Sequence, residues 1–209
     1  MDVPRRQATP ECPAPRRLPL FVLPGVLYPG MQMPLHIFEP RYRRMVARCV
    51  ETGGDFGLVH HDPDASGPFL IDEGRVGCSA RILEYKPIPD GRSLILVQGG
   101  ARFSIVDGIE SDEPYYEALV RRYDDEAAAG ALPARRSASI SLFREVAGRA
   151  LDPGAELPGF EPRAEVSFGL AERIHLEMGW RQALLESRNE FDRLDRIDAV
   201  LRAVLSRYD

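Results

Sequence analysis

Lysine is almost missing from this 209-residue chain: of 27 basic side chains, only Lys86 is not an arginine. Phosphate-cradling GxxxxGK[ST] loops and Ser–Lys nucleophile pairs both need a lysine beside glycines or a serine. Lys86 lies in Glu84-Tyr85-Lys86-Pro87-Ile88, which offers neither, so both chemistries are excluded. Cysteine is scarce as well. Cys12, Cys49 and Cys78 are widely spaced with no CxxC, which fits neither a disulfide framework nor a zinc site, and two of them are expected in the core. No apolar run approaches the ~20 residues of a bilayer span. The first 17 residues carry charge without an apolar centre, so no secretory signal is read there and the chain is expected in the cytoplasm, away from membranes. Net charge is −5, spread evenly over both halves, and no basic stretch points to nucleic acid. No GxSxG elbow or Ser-His-Asp spacing occurs. No cofactor or metal is expected.

What is present reads as two regions behind a tail. Residues 1–17, with Pro4, Pro10, Pro13 and Pro15 among arginines, cannot pack a core and are expected to be disordered. From Leu18 to Asp124 the pattern is that of short strands: 18–23, 33–38, 56–60, 76–83, 94–97, 103–106 and 116–120. Val76, Cys78, Ala80 and Ile82 alternate with Gly77, Ser79, Arg81 and Leu83, as on a half-buried strand, and Pro89-Asp90-Gly91-Arg92 marks a hairpin. One helix interrupts the strands. Pro40 opens it, Tyr42, Met45, Val46, Cys49 and Val50 form one apolar face, and Gly53-Gly54 ends it. Six or seven short strands at close spacing predict a small closed or nearly closed sheet with one inserted helix.

Beyond residue 125 the period becomes helical. Helices are expected over 139–150, over 166–179 from Val166, Leu170, Ile174 and Met178, over 180–187, and over 191–205. Asp192–Arg196 and Asp198–Arg202 are expected to face water as i,i+4 pairs.

The run Leu18-Pro19-Leu20-Phe21-Val22-Leu23-Pro24-Gly25-Val26-Leu27-Tyr28-Pro29-Gly30-Met31, followed by Pro34-Leu35-His36-Ile37-Phe38-Glu39-Pro40-Arg41-Tyr42, resembles the amino-terminal substrate-binding domain of the Lon protease family. Gly77-Cys78-Ser79-Ala80-Arg81-Ile82, Asp90-Gly91-Arg92 and Gly100-Ala101-Arg102-Phe103 follow in the family's order. The resemblance spans about residues 18–205. It implies an α+β fold: a β-rich, PUA-like pseudo-barrel with one inserted helix over 18–124, then a helical bundle over 125–209. It also implies binding of unfolded or damaged polypeptide, as an adaptor or regulator of a protease or chaperone. With no ATPase or peptidase signature in the sequence, binding without catalysis is expected. A PUA-like RNA-binding module and a small-molecule-binding domain are the alternatives.

Within the motif, Pro24, Pro29, Gly30 and Pro40 are expected to shape backbone rather than touch a ligand. His36, between apolar neighbours, is expected to be a satisfied core histidine. Glu39, Arg41 and Arg44 suggest a charge cluster at the helix start, and Arg102 is expected to pair with Glu39 or another acid inside the barrel. His60-His61-Asp62 with Asp64 reads as a solvated strand end, because adjacent residues on a strand point to opposite sides. The loop acids Asp112-Glu113 and Asp124-Asp125 read as solvated charge. Leu27, Tyr28, Met31 and Met33, in a proline-interrupted loop of aromatic and thioether side chains, are the first candidates for contact with apolar peptide, with burial between barrel and helix as the competing reading. Pro19 and Pro34 hint at sheet edges able to accept an added strand.

Overall fold

The computed structural model describes residues 14–127, 130–150 and 166–208. The strands are β1 (Arg16–Leu23), β2 (Gln32–Ile37), β3 (Phe56–His60), β4 (Val76–Pro87), β5 (Ser93–Ile109) and β6 (Tyr116–Arg122). The helices are α1 (Pro40–Thr52), α2 (Pro63–Ser66), α3 (Leu132–Ala150), α4 (Val166–Arg173), α5 (Met178–Glu186) and α6 (Glu190–Leu205). The sheet order is β2-β5-β4-β3-β1-β6, and β6 pairs back onto β5. Five strands therefore close into a ring, with β2 attached outside it on β5. The pair β1–β3 is parallel, which requires a crossover, and β2 with α1 supplies it.

Closure depends on the length of β5. Its first half pairs with β2 and its second half with β6, while β4 runs along both. The sequence pattern divides this strand in two at Gly99-Gly100, but the structure keeps it whole. The glycines are there for a close approach: a Cβ on Gly99 would lie 2.0 Å from the Tyr28 carbonyl oxygen. The Gly99 N–H donates to the Met31 carbonyl and the Gly30 N–H donates to the Gly99 carbonyl, both at 2.8 Å. The loop before β2 is thus laced onto the middle of β5.

β4 also departs from the alternating expectation, because Val76 through Ala80 are all buried. Helices α1 and α5 both lie against this strand, so neither face meets water there. Gly77 is needed at this density, since a Cβ would sit 2.6 Å from both the Phe103 ring and the Leu58 carbonyl.

Helix α1 forms as its apolar period dictates, burying Tyr42, Met45, Val46 and Cys49, although Val50 is exposed. Tyr42 fixes its angle. The Tyr42 hydroxyl donates to the Val22 carbonyl at 3.1 Å and accepts from the Val22 N–H at 3.2 Å, and its ring packs on Phe21 with centroids 4.1 Å apart.

One apolar cluster runs from Phe21 through Met45 and Val97 to Phe168, Leu185 and Leu201, so barrel and helices share a core across the expected boundary at 124/125. A smaller cluster gathers Leu18, Leu20, Phe103, Ile105 and Val120. At the junction, Arg102 of β5 and Arg193 of α6 are both buried and share the carboxylate of Asp125. Arg193 donates from Nη1 and Nη2 to the two Asp125 oxygens at 2.8 and 2.6 Å. Arg102 also donates to the carbonyls of Leu185 and Ser187 at 2.6 and 2.7 Å, and Arg193 to Ser187 at 2.8 Å. Arg193 lies 4.4 Å over the Phe168 ring and donates from Nε to the Ser167 hydroxyl at 2.9 Å. Burial works to raise the Asp125 carboxyl, but the hydrogen bonds and charges of Arg193 and Arg102 outweigh it and hold it below its ordinary value.

Several expectations change accordingly. Arg102 finds its acid in the connection to the helices, not in Glu39. Asp125 and Glu113 are not merely solvated: Glu113 pairs with Arg44 at 2.8 Å and Arg48 at 3.1 Å. Arg44 therefore leaves the cluster at the start of α1, where Glu39 and Arg41 pair at 2.8 Å. Asp198 is buried and binds Arg135 at 2.8 Å as well as Arg202 at 3.6 Å, so it does not face water. The helix expected over 166–179 ends at Arg173. Ile174 and Leu176 are both half-buried against the core, a period of two that an extended segment satisfies and a helix cannot. Of the expected tail, residues 1–13 lie outside the described residues, whereas Arg16 and Arg17 are strand, and Arg17 Nε donates to Glu117 at 3.0 Å. β1 has neighbours on both sides, so Pro19 is not on an open edge; Pro34, on β2, is.

Candidate functional site

The loop proposed first for peptide contact is largely packed into the core. Leu27 and Tyr28 are fully buried, and Met31 and Met33 are half-buried against the core. Tyr28 stacks on Phe168 of α4 at 5.2 Å and donates its hydroxyl to the Arg181 carbonyl at 3.0 Å, while Arg181 Nη2 reaches the Met31 sulfur at 3.7 Å. These residues join the barrel to the helices, and burial, the competing reading, is what the structure gives. Of the remaining motif residues, Arg92 pairs with Asp90 in the β4–β5 hairpin at 2.6 Å, and Phe103 fills the space left by Gly77.

Apolar surface opens elsewhere. A groove of about 490 Å³ lies between the end of β1, the end of β2, the start of α1 and the loop that follows β3. Phe21, Tyr42, Phe69 and Tyr116 give it aromatic walls, with Phe69 edge-on to Tyr116 at 4.9 Å. Leu35 and Pro24 line it too, and Phe38 stands at its rim with 58% of its surface exposed. Charge at the groove is limited to the Glu39–Arg41 pair, already neutralised within itself.

His36 also lines this groove and is exposed, contrary to its expected place in the core. Its ring lies 5.7 Å from Phe38, on the outward side of the chain. The period of two could have shown this: Met33, Leu35 and Ile37 turn inward, so Pro34, His36 and Phe38 turn outward.

His61 is buried, with its Nε2 donating to the Gly67 carbonyl at 2.8 Å and its ring edge-on to Phe69 at 5.3 Å. Asp62 accepts from the Asp64 N–H at 3.0 Å and caps α2. His61 and Pro63 therefore line the groove and His61 is not part of a solvated strand end, whereas Asp64 is exposed as expected. Among the described residues no three His, Cys, Asp or Glu side chains are grouped to hold a metal, and no described helix is long and apolar enough to cross a membrane. The groove is thus lined mainly by aromatic and aliphatic side chains.

The fold has counterparts in known proteins. The structure superposes on the Lon N-terminal domain protein from Xanthomonas campestris with a TM-score of 0.65 and 27% identity, covering 88% of this chain and 98% of that one. The N-terminal domain of the Mycobacterium avium complex Lon protease gives a TM-score of 0.67 over 90% of this chain and 98% of that one; at 16% identity it speaks to the fold alone. In sequence, the Lon protease of Amoebophilus asiaticus is 31% identical over 135 residues, 64% of this chain and 16% of its own length. That of Cytophaga hutchinsonii is 27% identical over 177 residues, 80% of this chain and 22% of its own. The chain thus spans about a fifth of the curated relatives it matches. The family model for the ATP-dependent protease La (LON) substrate-binding domain matches residues 17–202, and with that match the chain belongs to the Lon substrate-binding domain family.

Proposed function

We propose that this domain captures extended apolar segments of unfolded polypeptide in the groove beside Phe38 and presents them to a protease, performing no chemistry itself. The observation that carries this reading is the aromatic groove with a mostly exposed phenylalanine at its mouth. Apolar side chains can leave water there without displacing a buried charge. The edge of β2 supports it, because β2 pairs only with β5 among the described strands and offers main-chain groups beside Leu35 and His36. Family membership supports it too, since the matching model is described as a substrate-binding domain. A proteolytic partner is in keeping with the relatives, in which the matching region is part of a longer Lon protease.

The test is fluorescence anisotropy of labelled, capped peptides rich in leucine and phenylalanine, together with light scattering of a heat-denatured client. Phe38→Ala removes a ring a little over half of which is free to be covered by a guest. Burial of that share is worth about 1–1.5 kcal/mol, so affinity falls by about tenfold while the melting temperature is unchanged. Saturable peptide binding that is indifferent to Phe38→Ala, or no binding at micromolar concentration, refutes the reading.

A further inference from the structure

Pro24 and His61 line not only the apolar groove but also a second cleft of about 420 Å³, between the end of β3 and helix α5. The two cavities are neighbours with different chemistry. In the second, three side-chain atoms are shielded from solvent and have no hydrogen-bond partner among the described residues: His60 Nδ1, Arg75 Nη1 and Gln182 Oε1. Two of the three side chains are otherwise held. Arg75 Nη2 donates to Asp72 at 3.2 Å, and its guanidinium lies 5.0 Å over Phe69. Gln182 Nε2 donates to the Val76 carbonyl at 3.1 Å and to Glu186 at 2.7 Å. The first of these bonds places Gln182 against the residue next to Arg75. Buried polar atoms in native proteins are nearly always paired, so three open valences on residues that line one cleft mark a place for a partner that a side-chain rotation would admit.

The chemistry of the three atoms selects that partner. Arg75 Nη1 can only donate and Gln182 Oε1 can only accept, so the guest must carry both an acceptor and a donor. A secondary amide carries both on opposite edges. Charge argues against an anionic guest, because Asp62 and Glu186 line the cleft and Asp72 already neutralises Arg75. Burial also lowers the His60 pKa, which withholds a second cation.

We propose that this cleft is a main-chain subsite, in which Arg75 donates to a carbonyl and Gln182 accepts from an N–H of an extended polypeptide whose apolar side chains occupy the adjoining groove. This rests on the groove's being a polypeptide site and adds to it a grip that does not depend on side-chain identity, as capture of diverse clients requires.

The reporter is at hand: Trp180 is the sole tryptophan, half-exposed, and follows Met178 and Gly179, which line the cleft. The probe is a capped, uncharged peptide of alternating leucine and serine, compared with a series methylated at one backbone nitrogen at a time. Binding is read by Trp180 fluorescence and by anisotropy. Methylation at one position of the series is expected to weaken binding to the wild-type protein by about tenfold. Gln182→Met should bind the parent peptide as weakly as that methylated one and no longer distinguish them, whereas Phe38→Ala weakens both equally. The methylated ligands need no protein variant, so a poorly folded Gln182→Met leaves the test intact. Peptide binding that Phe38→Ala weakens but no methylation changes overturns the subsite and leaves the groove standing; the open valences are then met by water. Failure of every peptide to bind overturns both.

Discussion

Replacing Asp125 by asparagine keeps the shape of the junction and removes its one negative charge. Two buried guanidiniums, Arg102 and Arg193, then lose the carboxylate they share. Removing one partner of a buried ion pair costs about 3–5 kcal/mol, because a desolvated charge is left behind. Here the carbonyls of Leu185 and Ser187 still accept from both arginines, which places the loss near the lower bound, at about 3 kcal/mol. For a chain of this size, each kcal/mol moves the melting temperature by about 2–4 °C, so Asp125→Asn should melt about 6–12 °C lower. The neighbouring Asp124→Asn is the control, since Asp124 and its partner Arg122 are both exposed, and it should change stability by less than about 0.5 kcal/mol. The pH dependence follows from the lowered carboxyl of Asp125. A group held below its unfolded value, about 3.9, contributes fully above that pH and loses its contribution as pH falls through the lower folded value. The gap between wild type and Asp125→Asn should therefore be constant at neutral pH and shrink below about pH 4. Urea and thermal unfolding measure it. A loss below about 1 kcal/mol, or equal losses for the two asparagine variants, would refute the argument.

Other expectations concern the sheet and the thiols. Gly99→Ala drives a methyl into the Tyr28 carbonyl, which cannot turn aside while its loop is laced to β5, and should cost more than about 3 kcal/mol or prevent folding; Gly148→Ala, in α3 with open space around it, should stabilise by about 0.5–1 kcal/mol, and denaturant midpoints compare the two. Cys49 and Cys78 are both buried, and burial, aided by the nearby Asp55 charge, pushes the Cys49 thiol up to about 11. In a Cys12→Ser background at pH 8, iodoacetamide should modify neither until the protein unfolds; mass spectrometry reads this, and rapid native labelling would contradict the burial.

Legibility in the sequence followed the range of the interactions. α1 was readable to its ends, because a proline, an apolar stripe and a glycine pair all lie within fifteen residues. The extent of β5 was not, because Gly99 answers to Tyr28, a contact invisible to local pattern. Asp125 looked like any loop acid, since its partners lie 23 and 68 residues away. The family motif located the fold through residues that now have physical roles: Tyr42 bolts α1 to β1, Gly77 admits Phe103, and Arg102 waits for the helices. It did not locate the groove. Phe38 lies inside the motif, and only the alternation along β2 betrays its outward direction. The loop at 26–33 misled because aromatic and thioether content fits a sticky surface and a tight junction equally well.

The position of Arg193 bears on how the chain is made. During translation the last strand of the ring, ending at Arg122, leaves the ribosome well before α6 does, so a nascent barrel carries the Arg102 cation beside Asp125 before Arg193 and the carbonyls of 185 and 187 are synthesised. Consolidation has to wait for the arrival of α6, and until then the half-made product is itself a loose, apolar polypeptide of the kind a quality-control system would seize.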